Sequence, residues 1–484
     1  MKRRPDSLGP IVALDRRLAA PLHRQLHAGY RAAILDGRLR PGQRLPSTRS
    51  LASDLAVSRV PVVMAFEQLA AEGFVEGRVG AGSFVANALP RTDKPATTQR
   101  PPAGRRRLPR ERLTSEPEPW FACHGGFRVG QPGLDQFPVE VWARLIARRA
   151  RMQPRQQMTY GDAMGFLPLR EALAEHLRTV RSVRCTAAQI MIVSGSQQAL
   201  ALASRAVLAP GDVAWVEDPG FVGARDALAL AGARVVPVPV DADGLDVAAG
   251  VARCPAPRAV YVTPSHQYPL GVVMSPARRA ELLALARRRG AWLFEDDYDS
   301  EYRYDDQPPI ASLHGLDPDR RVIYIGTFSK VLFPAIRVGY AVIPDDLIAR
   351  FVRVRRALDN FPPPLYQAAL SDFIRDGHFA RHLRRTRSAY AERRRALIRA
   401  LRRELGDRVD IIGDRSGMHL VARIDGDDQD IATRAAARGL SVIPLSSCYA
   451  GRARRRGLLL GFGALRPSEI AARVRELAAV IGSR

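Results

Sequence analysis

Short apolar runs follow one another from about residue 123, separated by stretches with helical spacing. Buried parallel strands have this appearance, so the pattern predicts an α/β fold with a mostly parallel seven-stranded sheet covered by helices. An Arg-rich helical stretch and a short α+β segment follow, so residues 123–374 are predicted to form a large domain and residues 375–484 a small subdomain. The predicted strands are QIMIVS (189–194), DVAWVED (212–218), RVVPVPV (234–240), AVYVTP (259–264), AWLFED (291–296), RVIYIG (321–326) and GYAVIP (339–344).

Residues 14–87 follow a different pattern, with helices first and strands last. Apolar side chains recur at helical spacing from Leu22 to Ile34, and Gly37 ends this first helix. Ser47 is the predicted N-cap of a second, shorter helix that runs to Leu55. The two helices therefore belong to one compact unit near the N-terminus.

A third helix and a hairpin complete this unit. The helix begins near Ser58, after a tight turn, and Gly73 ends it. The words FVEGRVGAGSFV (74–85) predict two short strands around a glycine-rich turn. Helix, helix–turn–helix and hairpin in this order indicate a winged helix-turn-helix.

Residues 88–122 join the two parts and differ from both in composition. They are rich in Pro, Arg and Thr and contain few apolar side chains. Such a segment cannot build a core, so it is predicted to be a flexible basic linker. Its arginines could touch DNA phosphates, but a solvated tether is the simpler interpretation.

The balance of charge points to an acidic partner. Lys and Arg number 74 against 49 Asp and Glu, a formal net charge of +25. Nucleic acid is the common partner of a chain this basic. A high-GC genome, which enriches every protein in Arg and Ala, is the competing explanation.

Cysteine usage and the N-terminus indicate the compartment. The four cysteines are scattered, without a CxxC pair or zinc-finger spacing, so no metal site is predicted. Scattered cysteines fit a reducing compartment. We find no signal peptide and no apolar run long enough to span a bilayer, and we expect a cytoplasmic protein.

The third helix is the predicted DNA-reading element. A helix that enters the major groove needs polar or basic side chains near its N-terminus, and Arg can pair with guanine or clamp a phosphate. The small residues of the hairpin tip can approach the minor groove or the backbone. The predicted DNA contacts are Arg44, Ser47, Arg49, Ser58, Arg59, Gly80 and Gly82.

At these residues the unit resembles the GntR-type winged helix. The matching words are PLHRQL, GRLRPGQRLPSTRSLA, VSRVPVVMAFEQLAAEGF and GAGSFV. Members of that family usually carry Thr, Asn or another small polar residue after the Ser-Arg pair, where this chain has Val60 and Pro61. Proline is tolerated in the first helical turn but removes a hydroxyl that could bind a phosphate.

The second half carries candidates for a pyridoxal 5'-phosphate (PLP) site. Such a site needs a lysine for the Schiff base, an anion for the pyridine nitrogen, a ring to stack on the pyridine and donors for the phosphate. The lysine is Lys330, in YIGTFSKVLFPAIRVGY. Thr327, Ser329 and Arg337 lie beside it in the sequence and can hold a phosphate dianion.

The remaining requirements are met at the ends of other predicted strands, where ligands of parallel sheets bind. Asp296 would hold the pyridine nitrogen, and Tyr298 would donate to the ring oxygen. Phe221 is the stacking ring, and His266 follows a further strand. The phosphate cup is predicted at a helix N-terminus, formed by Ser194, Gly195, Ser196 and Gln197.

The ordered set resembles fold-type-I aminotransferases, and most closely the regulator branch called MocR or GabR. The matching words are FPVEVWARL, TYGDAMGFLPLREALAEHLR, SGSQQAL, GDVAWVEDPGF, TPSHQYPLGVVMS, EDDYDSEYRY, GTFSKVLFPAIRVGY and GHFARHLRRTRSAYAERR. The resemblance implies a head-to-tail homodimer with shared PLP sites. It also implies that Tyr160 reaches the phosphate bound by the partner subunit.

One position departs from the aminotransferase pattern. Enzymes of this kind commonly grip the substrate carboxylate with an Arg before a late RLSF-like segment, and Leu459 occupies that place in GLLLGFGAL (457–465). A leucine cannot hold a carboxylate. A nearby basic loop, Arg452 to Arg456, could replace it or could simply be solvated, so the effector is an amine, a differently bound amino acid or PLP.

These observations predict a PLP-dependent transcription regulator. It would sense an amino compound or PLP through an internal aldimine at Lys330, with little or no turnover. The alternatives are a working aminotransferase with an accessory DNA-binding module and a regulator whose PLP domain is only a dimerisation scaffold.

Overall fold

The computed structural model describes residues 11–78, 80–87, 125–152, 158–304 and 310–482. They form two compact units whose mutual boundary falls within residues 88–124. The predicted linker lies outside the described residues. The division into 14–87, 88–122, 123–374 and 375–484 stays a prediction.

The N-terminal unit has the predicted winged-helix order. A T-shaped contact between Tyr30 and Phe66, with ring centroids 5.4 Å apart, lies in its apolar core. The hairpin strands are antiparallel, with Val75 opposite Val85. Ser47 caps the second helix by accepting a hydrogen bond from the Ser50 amide, as predicted. The elements are α1 (Leu22–Leu35), α2 (Thr48–Asp54), α3 (Arg59–Ala71), β1 (Val75–Arg78) and β2 (Gly82–Val85).

The C-terminal unit alternates strands and helices up to about residue 375, and a long helix followed by short strands and further helices lies beyond it. Its elements are α4 (Val139–Met152), α5 (Leu167–Arg181), β3 (Ile190–Val193), α6 (Ser196–Val207), β4 (Val213–Asp218), α7 (Val222–Leu230), β5 (Arg234–Asp241), β6 (Gly244–Leu245), α8 (Val247–Arg253), β7 (Ala259–Val262), α9 (Pro276–Arg289), β8 (Trp292–Asp297), α10 (Leu313–Leu316), β9 (Val322–Thr327), β10 (Gly339–Val342), α11 (Ile348–Leu358), α12 (Pro364–Arg375), α13 (His378–Leu405), β11 (Asp410–Ile412), β12 (His419–Arg423), α14 (Asp428–Ala437), β13 (Ile443–Pro444), β14 (Leu458–Gly461) and α15 (Pro467–Gly482).

The large sheet has the order β3-β10-β9-β8-β7-β4-β5-β6 within the described residues. All seven predicted strands are present, and the two-residue β6 adds an edge that its sequence did not indicate. The run β9-β8-β7-β4-β5 is parallel, whereas β10 is antiparallel to both neighbours. On β8, Leu293 and Phe294 point into different apolar clusters, so both faces of the sheet are covered.

Residues 378–482 contain a second, smaller sheet with helices packed against it. In the described part of the chain its strand order is β11-β12-β14-β13. Its strands are antiparallel, and the 28-residue helix α13 packs on α15. Across the ranges that the structure describes, no helix combines the length and apolar character required to cross a bilayer.

Candidate functional site

A cavity of about 280 Å³ lies in the C-terminal unit where the parallel strands end. Five of the predicted cofactor residues line it, namely Ser196, Phe221, Asp296, Tyr298 and Lys330. The lining also contains residues that the sequence analysis did not select, which are Arg128, Val129, Gly130, Tyr261, Tyr268, Asp299, Met418, His419, Ser441 and Ile443.

Asp296 presents one free carboxylate oxygen. It lies near the end of β8, and its Oδ2 accepts a hydrogen bond of 2.9 Å from the Tyr261 hydroxyl. Its Oδ1 is buried and has no partner among the described residues. Burial raises the pKa of Asp296 to about 7, while the bond from Tyr261 and the charge of Lys330 act in the opposite direction. Such an oxygen is suited to a cationic N–H donor.

Lys330 lies just after β9, with its Nζ 3.2 Å from the carbonyl oxygen of Gly130. Burial lowers the pKa of Lys330, and Asp299 and Asp296 partly oppose that effect. A lowered pKa leaves a larger fraction of the amine neutral, and the neutral amine is the nucleophile. Its position in the cavity lining and its lowered pKa make this lysine suited to attack on a carbonyl.

The hydroxyl of Tyr298 is oriented by a buried histidine. His266 Nδ1 lies 3.1 Å from that hydroxyl and 2.9 Å from Asp299 Oδ1. A carboxylate only accepts, so Nδ1 carries the proton, and Tyr298 keeps its own proton free to donate into the cavity. Burial raises the pKa of Tyr298, which keeps it protonated. His266 itself lies behind Tyr298 and outside the lining, where it orients this donor.

The predicted phosphate cup surrounds the N-terminus of α6. Gly195 is its N-cap with φ of 104°, and a Cβ built there would lie 3.3 Å from the guanidinium of Arg337. Thr327 and Ser329 are buried nearby in sequence, and the Ser329 amide donates to Thr327 Oγ1 over 3.2 Å. A helix N-terminus beside a guanidinium is suited to a phosphate.

Two other cup residues make hydrogen bonds within the protein. The Ser194 amide donates to Gln198 Oε1 over 2.7 Å, and Gln197 Nε2 donates to the Gly223 carbonyl over 2.8 Å. The Gln197 amide group thus ties the cup to the segment that follows Phe221. The contact of Ser194 and Gln197 with a phosphate stays a prediction.

Aromatic rings form one wall of the cavity. Phe221 and Tyr268 meet in a T-shaped contact with centroids 5.8 Å apart. The sequence analysis missed Tyr268, although it follows the selected His266 by two residues. Its position in the loop that follows β7 was the available signal.

Two histidines and an acid form a buried group beside these rings. His266, Asp299 and His419 have ligand atoms within 4.8 Å of one another. Hydrogen bonds hold the group, because His266 Nδ1 contacts Asp299 and His419 Nε2 lies 3.1 Å from the Pro269 carbonyl. Burial lowers the pKa of His419 to about 3, so its ring is neutral.

Tyr160 lies on the surface and outside the cavity lining of its own subunit. It is 86% exposed, and its ring meets Phe361 edge-on at 6.0 Å. That exposure is compatible with the predicted reach into a partner subunit. The structure contains one chain, and the role stays a prediction.

Leu459 lies in β14 and is completely buried. It packs in an apolar cluster with Val421, Leu445 and Tyr449, and it does not line the cavity. The basic side chains from Arg452 to Arg456 that the sequence offered as substitutes are exposed and also outside the lining. Neither set reaches the cavity.

The winged helix presents a separate surface. Arg44, Ser47, Arg49, Ser58 and Arg59 are all exposed. Arg59 Nε donates to Thr48 Oγ1 over 3.1 Å, which links the N-termini of α3 and α2.

Exposed apolar side chains and the hairpin tip complete this surface. On α3, Val60 and Met64 are 65% and 46% exposed one turn apart. In the hairpin turn, Gly80 and Gly82 have positive φ, and a Cβ at Gly82 would lie 3.7 Å from Arg44 Nε. The tip of the β1-β2 hairpin and the side chain of Arg44 are therefore neighbours.

Two protein families match the chain. Aminotransferase class I and II matches residues 126–458, and the gntR family of bacterial regulatory proteins matches residues 22–85. The first match contains the cavity and the second contains the winged helix.

Two similar regulators extend over nearly the whole chain, and a similar enzyme of known structure covers about three quarters of it. The probable rhizopine catabolism regulatory protein MocR of Rhizobium meliloti is 40% identical over 94% of this chain and 93% of its own length. The HTH-type pyridoxine biosynthesis transcriptional regulator PdxR of Corynebacterium glutamicum is 32% identical over 93% of this chain and 94% of its own length. The kynurenine aminotransferase of Pyrococcus horikoshii has a TM-score of 0.68 at 29% identity, covering 74% of this chain and 90% of that one.

Proposed function

The chain belongs to the MocR-type transcription regulators of the GntR family, and from this premise we propose that it binds PLP through Lys330 and senses PLP or an amino compound there. The protein joins a DNA-binding winged helix to the fold of PLP-dependent aminotransferases. The proposal concerns how ligand binding in the aminotransferase-like part regulates DNA binding by the winged helix.

The unpartnered Oδ1 of Asp296 is the observation that carries the proposal. A buried acceptor without a donor is costly, and the protonated nitrogen of a pyridine ring supplies the missing donor. Lys330 lines the same cavity with a lowered pKa. Bound PLP supplies a carbonyl that reacts with amines and a ring that accepts electrons.

The chain's own residues would hold the cofactor at several points. Lys330 would hold it covalently, and Asp296 would keep the ring nitrogen protonated. The N-terminus of α6 and Arg337 would bind the phosphate, and Phe221 would stack on the pyridine ring and shield it from water. The hydroxyl of Tyr298 would donate a hydrogen bond to the ring oxygen.

The regulatory step would couple this cavity to DNA. We propose a head-to-tail homodimer in which Tyr160 of each subunit completes the partner's phosphate site and two winged helices bind two operator half-sites. An effector changes DNA affinity only as far as it binds one arrangement of the dimer more tightly than the other. Arg59 and Arg44 would contact phosphates or guanine, and Val60 and Met64 suit thymine methyl groups.

The direct test uses the purified full-length chain. Its absorbance is recorded with and without added PLP, the complex is reduced with borohydride, and the labelled peptide is mapped. A visible band and a label on Lys330 are expected. Titration with amines and amino acids, read both by that band and by binding to promoter DNA, then identifies the effector. No band at saturating PLP would contradict the cofactor role.

A working aminotransferase is the second candidate. The complete Lys330 and Asp296 pair favours it, since catalysis needs both groups. The burial of Leu459 away from the cavity disfavours it. Sustained turnover with an amino donor and a 2-oxo acid would decide for the enzyme.

A further inference from the structure

Arg128 is a half-buried arginine in the lining of the cavity that contains Lys330. Its guanidinium has no hydrogen bond or ion pair to any residue in the ranges that the structure describes. Two buried arginines of the same unit are paired with carboxylates, Arg181 with Asp297 and Arg393 with Asp135. Five donors without an acceptor in a ligand cavity indicate that the acceptor arrives with the ligand.

The backbone around Arg128 is clamped. Phe127 is buried with φ of 67°, a left-handed conformation that is rare for an aromatic residue. Its carbonyl accepts a hydrogen bond of 2.8 Å from the Gly461 amide, and a Cβ at Gly461 would collide with the Arg128 carbonyl. The Ser441 amide bonds the Gly126 carbonyl over 2.8 Å. Strand β14 and residue Ser441 thus fix the direction of this segment.

The same segment also contacts the reactive lysine. The Gly130 carbonyl accepts the bond from Lys330 Nζ, and a Cβ at Gly130 would collide with that nitrogen. Arg128 lies two residues before this contact, close enough for its charge to act on Lys330. Because Arg128 and Lys330 line the same cavity, a ligand whose amino group reaches Lys330 would share that cavity with the guanidinium.

The charges of the cavity leave Arg128 without a counter-ion. Asp299 faces His266, and in the proposed function Asp296 would face the pyridine nitrogen. Lys330 would form the covalent bond to the cofactor, so its amino group would not bind a separate anion. The positive charge of Arg128 is then free for an anion that belongs to the effector.

We propose that Arg128 binds the carboxylate of an amino-acid effector whose amino group reaches the site of Lys330. This inference rests on the proposed function and narrows its effector class from amino compounds to amino acids. It also supplies the anion contact that Leu459 cannot make.

The test compares amino acids with the amines that lack their carboxylate. The probes are L-alanine with ethylamine, L-leucine with 3-methylbutylamine and L-phenylalanine with 2-phenylethylamine, titrated against the PLP-loaded full-length chain. Affinity is read from the change in cofactor absorbance. The wild-type chain is expected to prefer at least one amino acid over its amine by roughly 10- to 150-fold, the range for a hydrogen bond to a charged group.

Three variants separate the possible sources of that preference. Arg128→Gln is expected to keep PLP absorbance and bind both members of the pair equally, and Arg128→Lys is expected to keep part of the preference. Arg454→Gln, on the exposed basic loop, is the matched control and is expected to keep all of it.

The contrary outcomes are distinct. Equal affinity of the wild type for every pair, or an unchanged preference in Arg128→Gln, would overturn this inference and leave the proposed function intact. Loss of the preference in Arg454→Gln instead would assign the carboxylate to the basic loop. A wild-type chain that takes up no PLP would overturn both.

Discussion

Asp296→Asn is expected to weaken PLP binding and to stabilise the cofactor-free chain. The amide has nearly the shape of the carboxyl group and can still accept the hydrogen bond from Tyr261 through its oxygen. Its NH₂ group then faces the ligand, and two donors oppose each other if the pyridine nitrogen is protonated. The cofactor loses one charge-assisted hydrogen bond, worth about 1.5–3 kcal/mol, so PLP affinity should fall by roughly 10- to 150-fold.

The effect on stability has the opposite sign. Burial raises the pKa of Asp296 from its ordinary 3.8 to about 7 in the folded chain. The unfolded chain therefore ionises first, and folding becomes less favourable as the pH rises from about 4 to about 7. The full cost above pH 7 is about 4 kcal/mol. Asparagine carries no such cost, so the melting temperature of the cofactor-free variant should exceed that of the wild type at pH 7.5 and approach it at pH 4.5.

Thermal melts at the two pH values, with and without PLP, measure both effects on the same samples. Asp425→Asn, at an exposed carboxylate, is the control and should change stability by no more than about 0.5 kcal/mol. If the cofactor-free Asp296→Asn chain melts at a lower temperature than the wild type at pH 7.5, the claim that burial of the Asp296 carboxylate destabilises the folded chain is refuted. Unchanged PLP affinity would refute its contact with the ring nitrogen.

Three further substitutions test separate parts of the molecule. Lys330→Ala should abolish the borohydride-fixed label while basal DNA binding persists, and an unchanged absorbance band would show that another lysine holds the cofactor. Arg59→Ala should weaken promoter binding, measured by fluorescence anisotropy, and lower the salt slope by about 1 without altering absorbance; an unchanged slope would exclude a phosphate contact. Tyr160→Phe should weaken PLP binding by roughly 10- to 150-fold through one lost hydrogen bond to the charged phosphate, and mixing it with Lys330→Ala should give hybrid dimers with one intact site per dimer. Wild-type PLP affinity in Tyr160→Phe would remove this residue from the phosphate site.

Local pattern accounts for the elements that the sequence predicts well. The seven strands of the large sheet are continuous apolar runs, and Ser47 caps its helix because capping depends on neighbouring residues. Strand β6 escaped prediction because Gly244 and Leu245 have no strand pattern of their own. They pair with the end of β5, a contact that the fold supplies.

The amino-acid sequence by itself determined the family, the winged-helix and α/β organisation, and the cofactor candidates that end parallel strands, since these depend on periodicity and on words of adjacent residues. Only the tertiary structure decided which side chains share the cavity. Arg128, Asp296, Lys330 and His419 are far apart in the chain and converge because strand ends of the large sheet meet the first segment and the small sheet of the C-terminal unit. The tertiary structure also buries Leu459 in an apolar cluster and leaves Arg128 without a partner among the described residues. Burial and pairing depend on packing between elements that are distant in sequence.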